Sequence, residues 1–84
     1  MSDSLTEVRQ LLAGVAEQLG SAYQHAGLAR SRIAAAVQVL DGLDRGHPEP
    51  LVPPELRKAA EELDRGLTLI SGGVAAVADI DARL

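Results

Sequence analysis

Residues 42–55 read GLDRGHPEPLVPPE, and this stretch decides the fold. It contains all four prolines of the chain. Proline removes a backbone N–H donor and clashes with the preceding helical turn, so no helix can cross the stretch. We therefore predict a stiff, extended, proline-rich loop over 44–53, with a helix on each side of it.

The segment before this loop is predicted to be one long helix. Ser4 and Glu7 form a capping-box pattern, in which the side chain of each accepts a hydrogen bond from the backbone N–H of the other. No proline follows until Pro48. We therefore expect a helix over about 4–43.

The segment after the loop is predicted to be a second helix. Proline is tolerated in the first helical turn, and Glu55 follows Pro54 near the positive end of the helix dipole. No later proline interrupts the chain, so this helix should cover about 54–84. The sequence thus predicts an all-α fold, an antiparallel two-helix hairpin in a single domain over 1–84.

Glycines inside both segments weaken this prediction locally. Each glycine in a helix interior costs on the order of 1 kcal/mol relative to alanine. The sequence leaves open whether the helices continue through Gly20 and through Gly72-Gly73.

Composition limits what the chain can bind. Of its 84 residues, 46% are apolar, one is aromatic and none is cysteine, and the net charge is −4. Without cysteine there are no disulfides and no thiolate metal sites. An acidic chain lacks the dense Lys/Arg field that neutralises phosphates, so we expect no nucleic-acid partner.

Hydropathy predicts a chain without a membrane span. The most apolar run, residues 66–78, is shorter than the roughly 20 residues that cross a bilayer. The first residues lack the basic and apolar regions of a signal peptide. We expect a cytoplasmic protein, and the sequence leaves open export without a cleaved signal peptide.

Apolar residues recur along both helices with the period of a coiled-coil seam, at alternating spacings of three and four. The repeat continues for more than five heptads in the first helix without a polar interruption. The predicted seam of the first helix is Leu5, Val8, Leu12, Val15, Leu19, Ala22, Ala26, Ala29, Ile33, Ala36, Leu40 and Leu43. That of the second is Leu56, Leu63, Ile70, Val77 and Leu84.

Folding the chain at the loop predicts a register. Leu19 should face Ile80, and Gly66 should make room for Ile33. The second helix would then end at Leu84 opposite about Val15. The first helix would overhang the second by its N-terminal turns.

The overhang would leave large apolar side chains without a partner in the same chain. Such a patch on a monomer marks an interaction site, and a single seam buries too little to be secure alone. We therefore expect a homodimer, forming a four-helix bundle, or another helical protein partner on the same surface.

A second packing surface is indicated on the second helix, where no charged residue occurs from Gly66 to Ala78. Solvated helix faces usually carry charges, although small Ala/Gly/Ser surfaces also tolerate water. The candidate interaction residues from both surfaces are Leu5, Val8, Leu11, Leu12, Val15, Leu69 and Ala76.

Residues for catalysis or cofactor binding are not found in any recognisable pattern. Neither His25 nor His47 has a partner at helical metal-ligand spacing, and no nucleophile motif or phosphate-binding loop is present. We predict no catalytic, cofactor or metal site, no small-molecule substrate and no enzymatic activity.

The seams and the turn at 44–53 resemble those of the WXG-type small secreted helical hairpins of actinobacteria. The Trp-X-Gly turn of that family is absent, since Gly46, His47 and Pro48 fill the region and the chain has no Trp. The resemblance implies a secreted hairpin effector or partner protein. An uncharacterised actinobacterial helical family is the alternative, since the Ala/Arg/Gly/Val-rich, Lys-poor usage suits a high-GC genome.

Overall fold

Two long helices pack side by side in a computed structural model that describes residues 2–84. Helix α1 is Ser2–Asp44 and helix α2 is Pro54–Arg83, joined by residues 45–53. The predicted all-α helical hairpin is therefore confirmed. It is a rod of 69 × 15 × 14 Å with a radius of gyration of 19.4 Å, whereas a globular domain of this length has about 12 Å.

The helix ends agree with the prediction except at the start of α1. This helix begins at Ser2, so Ser4 lies inside it and the capping box predicted there is wrong. Asp3 in the first turn stabilises the earlier start, because it lies near the positive end of the helix dipole. Helix α2 begins at Pro54 as predicted, after Pro53 in an extended conformation (φ −65°, ψ 141°).

The segment 45–53 is fastened to the end of α1. The backbone N–H of Leu51 donates to Oδ1 of Asp44, the last residue of the helix. Val52 is only 7% exposed and is the one buried hydrophobic residue among those whose side chains are described. The segment therefore packs against the helices and is more than a passive linker.

Half of the predicted α1 seam is correct. The row Leu12, Leu19, Ala26, Ile33 and Leu40 is half-buried, and we call it row one. The alternate predicted positions are wrong, since Val15, Ala22, Ala36 and Leu43 are exposed and only Ala29 is half-buried.

The second half-buried row of α1 lies one residue later than predicted. It comprises Ala16, Arg30, Val37 and Asp44, which we call row two. The predicted seam was based on apolar residues alone, so it could not include Arg30 and Asp44. Hydrogen bonds hold both polar side chains on this side of the helix, because Arg30 donates to Asp64 and Asp44 accepts from Leu51.

The α2 seam agrees with the prediction over most of its length. Leu56, Leu63, Ile70 and Val77 are all half-buried, whereas Leu84 lies beyond the end of the helix and is exposed. The glycines at 20, 27, 66, 72 and 73 all lie inside continuous helices. The question left open at Gly20 and at Gly72-Gly73 is therefore resolved in favour of unbroken helices.

The predicted register is wrong by seven residues. A Cβ built on Gly73 would lie 3.4 Å from Cδ1 of Leu19, so Leu19 faces Gly73 and not Ile80. The shift is about 10 Å along the helix. Counted from the same contact, Pro54 lies beside about residue 38, so the segment 45–53 runs back along the end of α1, where Leu51 hydrogen-bonds to Asp44.

This register shortens the overhang of α1. Counted in opposite directions from the contact of Leu19 with Gly73, the end of α2 comes beside about residue 8. A Cβ on Gly66 would meet nothing within 4 Å, so the prediction that Gly66 makes room for Ile33 is also wrong.

Candidate protein-interaction surface

The hairpin has two long faces, and the ion pairs between its two helices mark one of them. Arg30 of α1 forms a two-point ion pair with Asp64 of α2. Its Nε donates to Oδ1 of Asp64, and its Nη2 donates to Oδ2 at 3.3 Å. Arg57 of α2 pairs with Asp41 of α1 at 3.0 Å. We call this side, next to row two, the ion-pair face.

The Arg30–Asp64 pair perturbs both of its members. The hydrogen bond from Arg30 is the main cause of a pKa of Asp64 below its usual value, and it raises the pKa of Arg30. Both side chains are about half exposed. Exposed pairs of this kind orient helices more than they stabilise them, because water and salt screen the charges.

The contact of Leu19 with Gly73 shows which residues belong to the opposite face. On a helix the neighbours of a residue lie three and four positions away. Away from the ion pairs, Leu19 is flanked by Val15 and Ala22, and Gly73 is flanked by Leu69 and Ala76. All four flanking residues are exposed. Together with Val8, Leu11 and Gln18 of α1 and Gly72 of α2, they form what we call the apolar face.

A groove on the apolar face has the form of a packing hole. Leu11, Gly14, Val15 and Gln18 surround it at the corners of the diamond that residues i, i+3, i+4 and i+7 make on a helix. Its open volume is about 600 Å³, and Gln10, Leu19 and Ala22 complete the lining. A Cβ on Gly14 would meet nothing within 4 Å. In coiled coils, such diamonds receive one side chain from a facing helix.

Charge is almost absent around this groove. Residues 10–29 of α1 include one charged residue, Glu17, and residues 66–78 of α2 include none. The register places these two segments beside each other. These two segments therefore have little to attract water beyond Glu17 and small polar side chains, whereas charged residues such as the paired Asp79 and Arg83 follow towards the free end of α2.

Most of the predicted interaction residues lie exposed on this surface. Leu11 and Leu69 are 65% and 70% exposed, and Val8, Val15 and Ala76 are exposed beside them. Leu12 and Leu5 belong to the line of row one, where Leu12 is half-buried and Leu5 is 38% exposed.

Gly14 and Gln18 were missed by the sequence reasoning, which searched for apolar side chains. Their spacing of three and seven from Leu11 was the signal that could have identified them.

Side chains for other chemistry are dispersed. His25 and His47 are both exposed, on α1 and in the loop. No group of three or more metal-ligating side chains occurs among residues 2–84. Over the same range, neither helix has the apolar length that crossing a bilayer requires.

Comparisons with protein-family models, with characterised proteins and with solved structures found no significant match to this chain.

Proposed function

We propose that this chain is a non-enzymatic protein–protein interaction module, which uses its apolar face to pack against helices of a second protein molecule. A second copy of the chain is the simplest such molecule. The observation that carries the proposal is the uncharged, exposed apolar face beside the contact of Leu19 with Gly73.

The surface area of the hairpin supports a covered face. Its accessible surface is 6366 Å². A compact monomer of 8.8 kDa exposes about 4,800 Å² by the scaling of area with mass. The excess of roughly 1,600 Å² is about twice the roughly 800 Å² that each partner buries in a typical specific protein–protein interface.

The composition of the exposed surface also supports the proposal. Leu11 and Val15, four positions apart on α1, are neighbouring exposed apolar side chains on this surface, and Leu69 is a third on α2. Contiguous patches of this kind are rare on monomers and mark interaction sites, whereas isolated exposed hydrophobics are normal.

The test is the molar mass in solution, measured by light scattering over a wide range of concentrations. We expect the wild type to approach twice the chain mass as concentration rises. The double variant Leu11→Ser, Val15→Ser should remain a monomer. Each large apolar side chain removed from a covered site costs about 1.5–3 kcal/mol, which is about tenfold or more in affinity.

The chain offers a matched control. Val39 and Leu43 occupy the same helical positions as Leu11 and Val15, four heptads further along α1, and are 65% and 56% exposed. Val39→Ser, Leu43→Ser should associate like the wild type. A wild type that is helical yet monomeric throughout would overturn self-association. Equal loss in both double variants would refute the assignment to the apolar face.

A further inference from the structure

We infer that two copies of the chain pack antiparallel through their apolar faces, about a two-fold axis at the contact of Leu19 with Gly73. The inference deepens the proposed function and rests on it. It assigns the occupant, the orientation and the centre of the interface.

The distribution of charge sets the centre of the interface. Segments 10–29 and 66–78 have one charged residue together, whereas charged residues flank them at 3–9 and 79–83 and, towards the loop, at 30–44 and 54–65. Burying an unpaired charge costs several kcal/mol, so the two copies should place their uncharged segments over each other and keep the charged segments at the edges of the interface.

The size of this region matches a specific but modest interface. Residues 10–29 span about 30 Å at 1.5 Å per residue, and the hairpin is 15 Å wide. Two such faces have a combined footprint of roughly 900 Å², and corrugated helix surfaces bury more than their footprint. The total therefore reaches the roughly 1,000 Å² that a specific complex needs.

The order of side chains along the face makes it complementary to itself. The uncharged region is centred on the contact of Leu19 with Gly73. On α1, Val15 lies four residues before this centre and the small Ala22 lies three residues after it. A two-fold axis across the hairpin at the centre therefore places Val15 of each copy over Ala22 of its partner.

The same relationship holds on α2. Leu69 lies on one side of the centre, and Gly72 and Ala76 lie at or beyond it. Under the same axis, Leu69 of each copy comes over the small residues of the other α2. Both pairs of helices can then approach closely.

Two other arrangements fit the charges less well. A parallel pair with both loops at one end aligns the two charged halves along their length. An antiparallel pair overlapping over its whole length covers the uncharged half of each copy with the charged half of the other. Each arrangement brings charged side chains such as Lys58 and Arg65 towards an interface.

The orientation is tested by cross-linking single-cysteine variants, since the chain has no cysteine of its own. Gln18 and Arg32 are both exposed and lie two heptads apart on the same side of α1. In the inferred dimer, the two copies of residue 18 lie near the two-fold axis. The two copies of residue 32 are roughly 40 Å apart along the length of the rods. A short bismaleimide should join Gln18→Cys chains and leave Arg32→Cys chains unjoined.

The outcomes separate orientation from association. A parallel dimer joins both variants to a similar extent, and a fully overlapped antiparallel dimer joins neither, because both residues then lie seven positions from the axis. Either result, in a protein with the mass of a dimer, overturns the inferred arrangement and leaves the proposed function standing. A monomeric mass overturns the inferred dimer and, with it, the self-association in the proposed function.

A second measurement uses the wild type, because Gln18→Cys changes a residue of the interface itself. Small-angle scattering should give a maximum dimension of about 87 Å, because an axis at residue 19 lies about 9 Å from the middle of a rod of 69 Å, which is near residue 25. Full overlap in either orientation would give about 70 Å. A dimer of that shorter length would contradict the inference whatever the cross-linking result.

Discussion

Leu19 of α1 lies against Gly73 of α2, with 3.4 Å between Cδ1 of Leu19 and a Cβ placed on the glycine. Gly66, seven residues earlier on the same side of α2, would meet nothing within 4 Å if it carried a Cβ. The two glycines therefore differ in role, although they occupy equivalent positions of the heptad. Of the two, only Gly73 lies where a Cβ would contact the facing helix.

We expect Gly66→Ala to raise the free energy of unfolding by about 1 kcal/mol, because alanine is the better helix former and the added methyl group has room. Gly73→Leu should lower it by about 1–3 kcal/mol, because the larger side chain displaces Leu19. Denaturant unfolding followed by circular dichroism, at one fixed protein concentration, measures both changes.

Gly73→Ala is the control for the close approach. Its Cβ makes an ordinary contact with Leu19, so the variant should gain helix propensity without loss of packing. If Gly73→Leu were as stable as Gly73→Ala, the contact would not limit the approach of the helices.

The end of α1 provides a second prediction. Asp44 accepts a hydrogen bond from the backbone N–H of Leu51, but its charge lies at the negative end of the helix dipole. Asp44→Ala should lower the free energy of unfolding by about 1 kcal/mol, because the Leu51 N–H loses its acceptor. Asp44→Asn keeps an acceptor oxygen and removes the charge, so it should be at least as stable as the wild type. Thermal unfolding compares the three proteins, and an unstable Asp44→Asn would show that the charge itself is needed.

Val52 leads to a third prediction, because it is the most buried hydrophobic side chain among those described. Val52→Ala removes two methyl groups from a buried site and should lower the free energy of unfolding by about 1.5–2.5 kcal/mol. Val39→Ala, at a 65% exposed site, should change it by less than about 0.5 kcal/mol. Similar effects in the two variants, measured by denaturant unfolding, would contradict the anchoring role of the loop.

The Arg30–Asp64 pair predicts a pH dependence. The hydrogen bond from Arg30 lowers the pKa of Asp64. A lowered carboxyl pKa stabilises the folded state above the unfolded value of about 3.9, and that contribution is lost as the pH falls through the folded pKa. In an NMR titration of the carboxyl carbon, Arg30→Gln should raise the pKa of Asp64 towards its usual value.

Arg57→Gln is the matched control for this titration. Arg57 pairs with Asp41 and not with Asp64, so its loss should leave the pKa of Asp64 unchanged. A shift of equal size in both variants would assign the effect to net charge and not to the hydrogen bond from Arg30.

The helices could be predicted from the sequence because prolines act locally. The prolines at 48, 50 and 53 exclude a helix whatever surrounds them, and the end of α1 and the start of α2 fall within one residue of the expected places. The register could not be predicted in this way, since it depends on how the segment around Val52 turns back along α1. That choice is made by tertiary packing and leaves no periodic pattern.

Only one of the two rows in the α1 seam could be predicted, for a related reason. Apolar residues cover a wide sector of α1, so both Val15 and Ala16 fit an apolar row beside Leu12 and Leu19. Arg30 and Asp44 decide between the two rows through hydrogen bonds to partners outside α1. The row containing Val15 is consequently left on the surface, and this is what makes it a candidate interaction site.

The rod shape of the hairpin has a practical consequence for its friction in water. A particle of 69 × 15 × 14 Å diffuses more slowly than a sphere of the same mass, because friction depends on the longest dimension as well as on volume. A single chain will therefore leave a gel-filtration column early, among globular standards of greater mass. A column calibrated with such standards would report an assembly even if every molecule were alone.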